Sequence, residues 1–158
     1  MKKHLIFLLL ILINFCAYSA TINIIITQDD GVQTDVREVS KVFEDTILDA
    51  GFEQGHIICN EIINLEKNIK VVSQKAFDAA SNGYCDYLVT FYLVIEPITE
   101  KALSVSWELI RIIDGKILNK GDYKFPKAKS SSFDDEMDNL ILNTNNLCTE
   151  IFASIGRN

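Results

Sequence analysis

Tyr87-Leu88-Val89-Thr90-Phe91-Tyr92-Leu93-Val94-Ile95 is apolar on both of its alternating sets: Tyr87, Val89, Phe91, Leu93 and Ile95 on one, Leu88, Tyr92 and Val94 on the other. A strand of this kind belongs inside a sheet covered on both faces. Pro97 ends its ladder, because proline has no N–H to donate. Downstream the pattern changes. Leu103, Val105, Trp107 and Leu109 alternate with Ser104, Ser106 and Glu108, which predicts an antiparallel strand over Ala102 to Ile113 with one wet face. Asp114-Gly115 between Ile112-Ile113 and Ile117-Leu118 is a hairpin signal, since a type I′ turn needs positive φ at both central residues. Lys116 to Phe125 is then the returning strand.

Upstream, Thr21-Ile22-Asn23-Ile24-Ile25-Ile26-Thr27 is β-branched and closed by Gln28-Asp29-Asp30-Gly31, which predicts a second doubly covered strand followed by a turn. From Thr34 as N-cap, Val36, Val39, Phe43, Ile47 and Ala50 recur at helical spacing, with Gly51 as the stop and Phe52 behind it. His56 to Ile63 is a weaker strand, after Gly55 and before Asn64. A second helix runs from about Asn68 through Ile69, Val72, Ala76 and Ala80 to Asn82-Gly83. Ser132 caps a long third helix, with Asp134, Asp135 and Glu136 in its first turn and a stripe of Phe133, Met137, Leu140, Ile141, Thr144, Leu147, Cys148, Ile151, Phe152 and Ile155. The order is β-α-β-α-β-β-β-α. Right-handed crossovers make the first three strands parallel, so the expectation is a mixed α/β (α+β) fold whose five-stranded sheet is ordered 2-1-3-4-5.

Residues 1–20 read as a signal peptide. Lys2 and Lys3 give a basic start, Leu5 to Ile13 an apolar run, and Ala17-Tyr18-Ser19-Ala20 the small residues a signal peptidase accepts. A retained anchor would need roughly 20 apolar residues. Cys16 is a candidate lipidation site, opposed by the bulky Phe15 before it. Residues 21–158 are the length of one domain, without repeat or linker. Lys and Arg number 15 against 22 Asp and Glu, and the densest basic stretch is Lys124-Phe125-Pro126-Lys127-Ala128-Lys129. That balance excludes nucleic-acid binding as a main function. An apolar content of 48 % excludes wholesale disorder. Beyond Cys16, Cys59, Cys85 and Cys148 allow one internal bridge in three ways, or serve as small buried hydrophobes.

Ala79-Ala80-Ser81-Asn82-Gly83-Tyr84-Cys85-Asp86-Tyr87-Leu88-Val89, with the hairpin from Leu109 to Leu118, resembles a group of bacterial envelope domains. These are the amino-terminal domain of the Tol-system protein TolB, the periplasmic domain of the curli secretion lipoprotein, and the lipoprotein activators of penicillin-binding proteins. The resemblance is one of layout, over about a fifth of the chain. It implies action by protein contact and carries over no catalytic residue.

Candidate chemistry is sparse. His56 is the only histidine beyond the leader, no Gly-x-Ser-x-Gly segment accompanies it, and no paired Cys/His spacing pre-forms a zinc site. No catalytic or metal residue, and no cofactor, is therefore assigned. Asp29 and Asp30 lie at the carboxyl edge of the parallel strands, Asp86 and Asp114 at the opposite edge, so they form no catalytic pair across the sheet. The carboxyl edge, where open α/β sheets bind ligands, offers Asp29, Asp30, Gly31, Thr34 and Asn64. Two carboxylates repel phosphate, which leaves a small ligand or a hard cation. Alternatively, the last strand's free edge accepts another chain, with Trp107, Tyr123 and Phe125 as anchors; Lys120 and Lys124 are the countersign. The leading expectation is a non-enzymatic protein exported to the periplasm, acting on an envelope partner or on itself, with membrane attachment only if Cys16 is lipidated. The alternative is a ligand or cation module at Asp29 and Asp30.

Overall fold

The structure, a computed structural model, describes residues 19–32, 35–66, 69–127 and 132–155, with backbone alone for 69–71. The elements follow in the order β1 (Thr21–Asp29), α1 (Glu38–Glu53), β2 (Ile57–Asn60), α2 (Ile69–Asn82), β3 (Tyr87–Ile95), β4 (Ala102–Arg111), β5 (Lys116–Lys124) and α3 (Phe133–Phe152). The five strands form one sheet in the order β2-β1-β3-β4-β5. β1 runs parallel to β2 and β3, whereas β3–β4 and β4–β5 are antiparallel. This is the expected mixed sheet and closing helix.

Alternation sorts the side chains into two unequal cores. On one face Ile22, Ile24, Ile26, Val89, Phe91, Leu93, Val105, Trp107 and Leu109 meet Val39, Phe43 and Ile47 of α1 and Leu140, Leu147, Cys148 and Ile151 of α3. Phe43 stands edge-on to Phe91 at 5.5 Å and to Phe125 at 6.2 Å, near the centre of this layer. On the other face a smaller cluster joins Ile25 and Leu88 to Val72, Ala76, Ala80 and Cys85 around α2. Each fully buried aliphatic or aromatic side chain contributes about 1.5–3 kcal/mol, so the first face holds most of the stability.

Several boundaries move. β1 continues two residues past Thr27, because Gln28 is buried at 1 % exposure instead of beginning the turn. α1 begins at Glu38 with Arg37 in the N-cap position, and Thr34 lies outside the described residues. Gly51 does not stop α1: it is buried within the helix, where a Cβ would come within 2.5 Å of Ile58, and the chain leaves at Gly55 with φ +82. Phe52 is accordingly exposed. β2 is shorter than expected, four residues followed by a single parallel bridge between Thr27 and Asn64. In β4 a register shift at Val94/Ile95 pairs Ile95 with Ala102 and Val94 with Ser104. Leu103 falls in the bulge and faces solvent, against the alternation that grouped it with Val105. α3 starts as expected, with the Ser132 hydroxyl accepting from the Asp135 N–H at 3.2 Å. Asn143 takes a buried place on its inner face, while Phe133 and Ile141 are exposed.

Candidate functional site

At the carboxyl edge, Asp29 and Asp30 occupy consecutive positions and therefore diverge. The Asp30 side chain is wholly buried. It accepts from Arg37 Nε at 2.6 Å and from the Val32 N–H at 3.0 Å. Arg37 continues to Glu100 in the β3–β4 turn at 2.9 Å, and the Asp30 bond leads the causes that raise the guanidinium pKa. Gln28 ties this corner together: its Oε1 accepts from the Arg37 N–H and the Ser40 hydroxyl, both at 2.8 Å, and its Nε2 donates to the Asp35 carbonyl at 2.9 Å. Asp29 turns to the opposite face, where the Tyr92 hydroxyl donates to it at 2.5 Å. Burial, then the Asp29 bond, push the Tyr92 phenol up to about 12. Gly31 closes the turn with φ +76, its N–H donating to Asp29 Oδ1 at 3.1 Å. Asn64 is held by backbone bonds to Ile26 and Gln28, both at 2.8 Å, and its side chain accepts from the Glu66 N–H.

The edge thus brings Asp29, Asp30, Gly31 and Asn64 into one corner, with the two carboxylates engaged on different faces. Among the described residues no group of three or more His, Cys, Asp or Glu side chains is placed to share a metal ion. Sequence reasoning missed Gln28, Arg37, Ser40 and Glu100. The available signal was Gln28 itself, which extends the buried register Ile22, Ile24, Ile26 with a polar residue; burial demands partners for it.

His56 is a core residue. Its Nδ1 accepts from the Ala20 N–H at 3.3 Å, its ring meets Phe152 edge-on at 5.8 Å, and burial lowers its pKa. Asp86 accepts from the Thr21 N–H at 2.8 Å, and Asp114 is paired with Arg111 at 2.7 Å, which holds its carboxyl down near about 2.

The three aromatic residues expected at the edge point inward. Trp107 is 5 % exposed, its indole lying over Gly121, where a Cβ would sit 3.2 Å from the ring. Tyr123 and Phe125 pack against the larger core, with the Tyr123 hydroxyl donating to Asn143 at 2.5 Å. Tyr123 and Phe125 are half-buried on the α3 side of β5, so most of their surface is taken up by the core and not by the free strand edge. The opposite side of β4 and β5 is open. Thr90, Tyr92, Ser106, Glu108, Lys120 and Asp122 floor a groove of about 1040 Å³ beside Val72 and Phe77 of α2. At the hairpin end Ile113 is 90 % exposed and Tyr84 is 92 % exposed, near the Ile112 N–H bond to the Asp86 carbonyl.

A protein-family profile described as "Uncharacterised protein" matches residues 21–155. The chain belongs to that family. Family membership thus spans the whole sheet and all three helices. No curated protein matches the chain. Solved structures do match in fold. A PelC dodecamer from Paraburkholderia phytofirmans is 13 % identical with a TM-score of 0.50, over 87 % of this chain and 89 % of that one. The protein XCC0632 from Xanthomonas campestris is 10 % identical with a TM-score of 0.51, over 85 % and 82 %. The lipoprotein GNA1162 from Neisseria meningitidis is 12 % identical with a TM-score of 0.50, over 82 % and 96 %. At these identities the likeness is one of fold, and it agrees with the layout resemblance to bacterial envelope domains. Among the described residues no helix is long and apolar enough to cross a membrane.

Proposed function

We propose that the protein is exported to the bacterial envelope, with residues 1–20 removed as a signal peptide, and acts there without catalysis, by contact with another envelope protein or a second copy of itself. The observation that carries this reading is the asymmetry of the sheet. One face is closed by α1 and α3; on the other, α2 covers β1, β3 and the hairpin end of β4 at Ile110 and leaves the rest of β4 and β5 open, and among the described residues nothing pairs with the outer edge of β5. Trp107, Tyr123 and Phe125 give way as anchors to the groove floor and to Ile113, Ile117 and Tyr84 at the hairpin end. The shared fold of the PelC dodecamer supports self-association as one form of the contact.

Sedimentation of the purified protein and a pull-down from envelope extract test the proposal. A concentration-dependent oligomer or one saturable envelope partner is expected; a strict monomer that captures nothing contradicts it. Melting with and without calcium separates this reading from a cation module at Asp29 and Asp30, because a ligand selective for the native state raises Tm. No shift is expected.

A further inference from the structure

Cys59, Cys85 and Cys148 are free thiols, but their positions are not equivalent. Cys148 is fully buried in α3 within the larger core, and burial pushes its thiol up to about 12. Cys59 and Cys85 lie on the other side of the sheet. In the β1–β2 ladder Ile22 pairs with Ile58 and Asn23 with Cys59. Ile58 faces Gly51 of α1, so alternation turns Cys59 to the α2 side. Cys85 closes the turn from α2 into β3 and is buried on that same side with Ile25, Val72, Ala76, Ala80 and Leu88.

Backbone bonds hold the turn in place. The Cys85 N–H donates to the Ala80 carbonyl at 3.0 Å, and the Asp86 N–H donates to the Thr21 carbonyl at 2.8 Å. Thr21 pairs on its other side with Ile57, two residues before Cys59. Burial on this side, and after it the neighbouring Cys59 thiol, raise the Cys85 thiol above its ordinary pKa, so the two side chains are close enough to act on one another.

We propose that Cys59 and Cys85 form a disulfide that ties the edge strand β2 to the α2–β3 turn, leaving Cys148 as a buried thiol. The oxidant is a disulfide donor of the thiol–disulfide oxidoreductase or glutathione disulfide class. Cys59, which is exposed, attacks as thiolate; the donor S–S bond breaks, one donor thiol leaves, and a mixed disulfide forms. Cys85 then releases its proton to solvent, attacks the Cys59 sulfur and expels the second donor thiol. Two protein thiols are oxidised and one donor disulfide is reduced to two thiols. The closed loop contains the whole of α2, so the bridge restrains the unfolded chain where the smaller core contributes least.

In the cell this step rests on the exported location proposed above, so the test has two arms. The full chain is incubated with a mixture of reduced and oxidised glutathione, quenched in acid, alkylated and digested without reduction. The expected product is a peptide pair joining Cys59 to Cys85, with Cys148 alkylated only after denaturation. Native maleimide labelling of Cys59 should fall at least about tenfold on oxidation. Cys148→Ala should keep the bridge, and Cys85→Ala should restore Cys59 labelling. Full alkylation of Cys59 and Cys85, a Cys59 adduct with glutathione only, or a Cys59–Cys59 link between chains would overturn the proposal. The same map is made on protein from host cells. A bridge there supports both readings; a bridge formed with glutathione but absent in the host upholds the pairing and overturns the exported location.

Discussion

The two faces of the sheet are built from the same strands and meet different fates. Behind one, two helices close over a continuous layer from Ile22 to Leu109, with Phe43 at its centre. Behind the other, a single helix rests on Ile25 and Leu88, and the antiparallel half presents Ser106, Glu108, Lys120 and Asp122 to water. The difference teaches that the larger stabilising core lies on one side and the surface proposed for contact on the other. The closed layer holds packed apolar side chains and a paired polar corner at Gln28, Asp30 and Arg37.

The sharpest way to break this comparison is to weigh the faces separately. Phe43→Ala should cost about 3–5 kcal/mol, through lost burial and the cavity left behind. Lys120→Ala on the open face should stay within about 0.5 kcal/mol. Urea unfolding of both variants checks the pair, and near-equal losses would abolish the distinction. Next in size is Gly121→Val, which drives a branched side chain into the Trp107 ring from β5. Overpacking of this kind costs about 1–3 kcal/mol, and the Trp107 emission spectrum should shift with it. A variant with unchanged emission and midpoint would mean that the indole does not rest on Gly121.

At the corner that joins β1 to α1, Asp30→Asn removes the charge held by Arg37 while keeping the side-chain shape. A drop in Tm of about 3–4 °C is expected, the size that a loss of about 1 kcal/mol produces in a domain this long. The smallest effect is pH-dependent. His56 is buried and its folded pKa lies below the ordinary 6.5. As pH falls through that value the unfolded chain takes up the proton first, so the stability His56 contributes is full above about 6.5 and declines below it. Comparing urea midpoints at pH 7.5 and 5.5 should show a smaller fall for His56→Gln than for the parent; equal falls would remove His56 from the account.

The topology was legible because periodicity and punctuation agreed. Tyr87 to Ile95 could only be a central strand, and Asp114-Gly115 could only be a turn between two others. Boundaries failed where tertiary packing overrode local preference. Gly51 reads as a helix stop, yet Ile58 needs the space that a glycine leaves inside α1. Leu103 reads as an inward residue, yet a bulge that no local residue announces turns it out. The candidate site was less legible. Sequence spacing placed Asp29 and Asp30 at the right edge, but consecutive residues on a strand face opposite ways, and their partners Tyr92 and Arg37 come from separate elements. Strand position alone makes edge anchors of Trp107, Tyr123 and Phe125. Which face of β5 α3 would cover depended on a helix that follows it in the chain.

The most direct measurement is site-specific photo-crosslinking in living host cells, with the photoreactive residue placed at Lys120 on the open face of β5 or at Asp49 on the outer side of α1. The account predicts a discrete crosslinked band, to an envelope protein or to a second copy, from position 120 and none from position 49. A crosslink confined to position 49, or none from either, would contradict it.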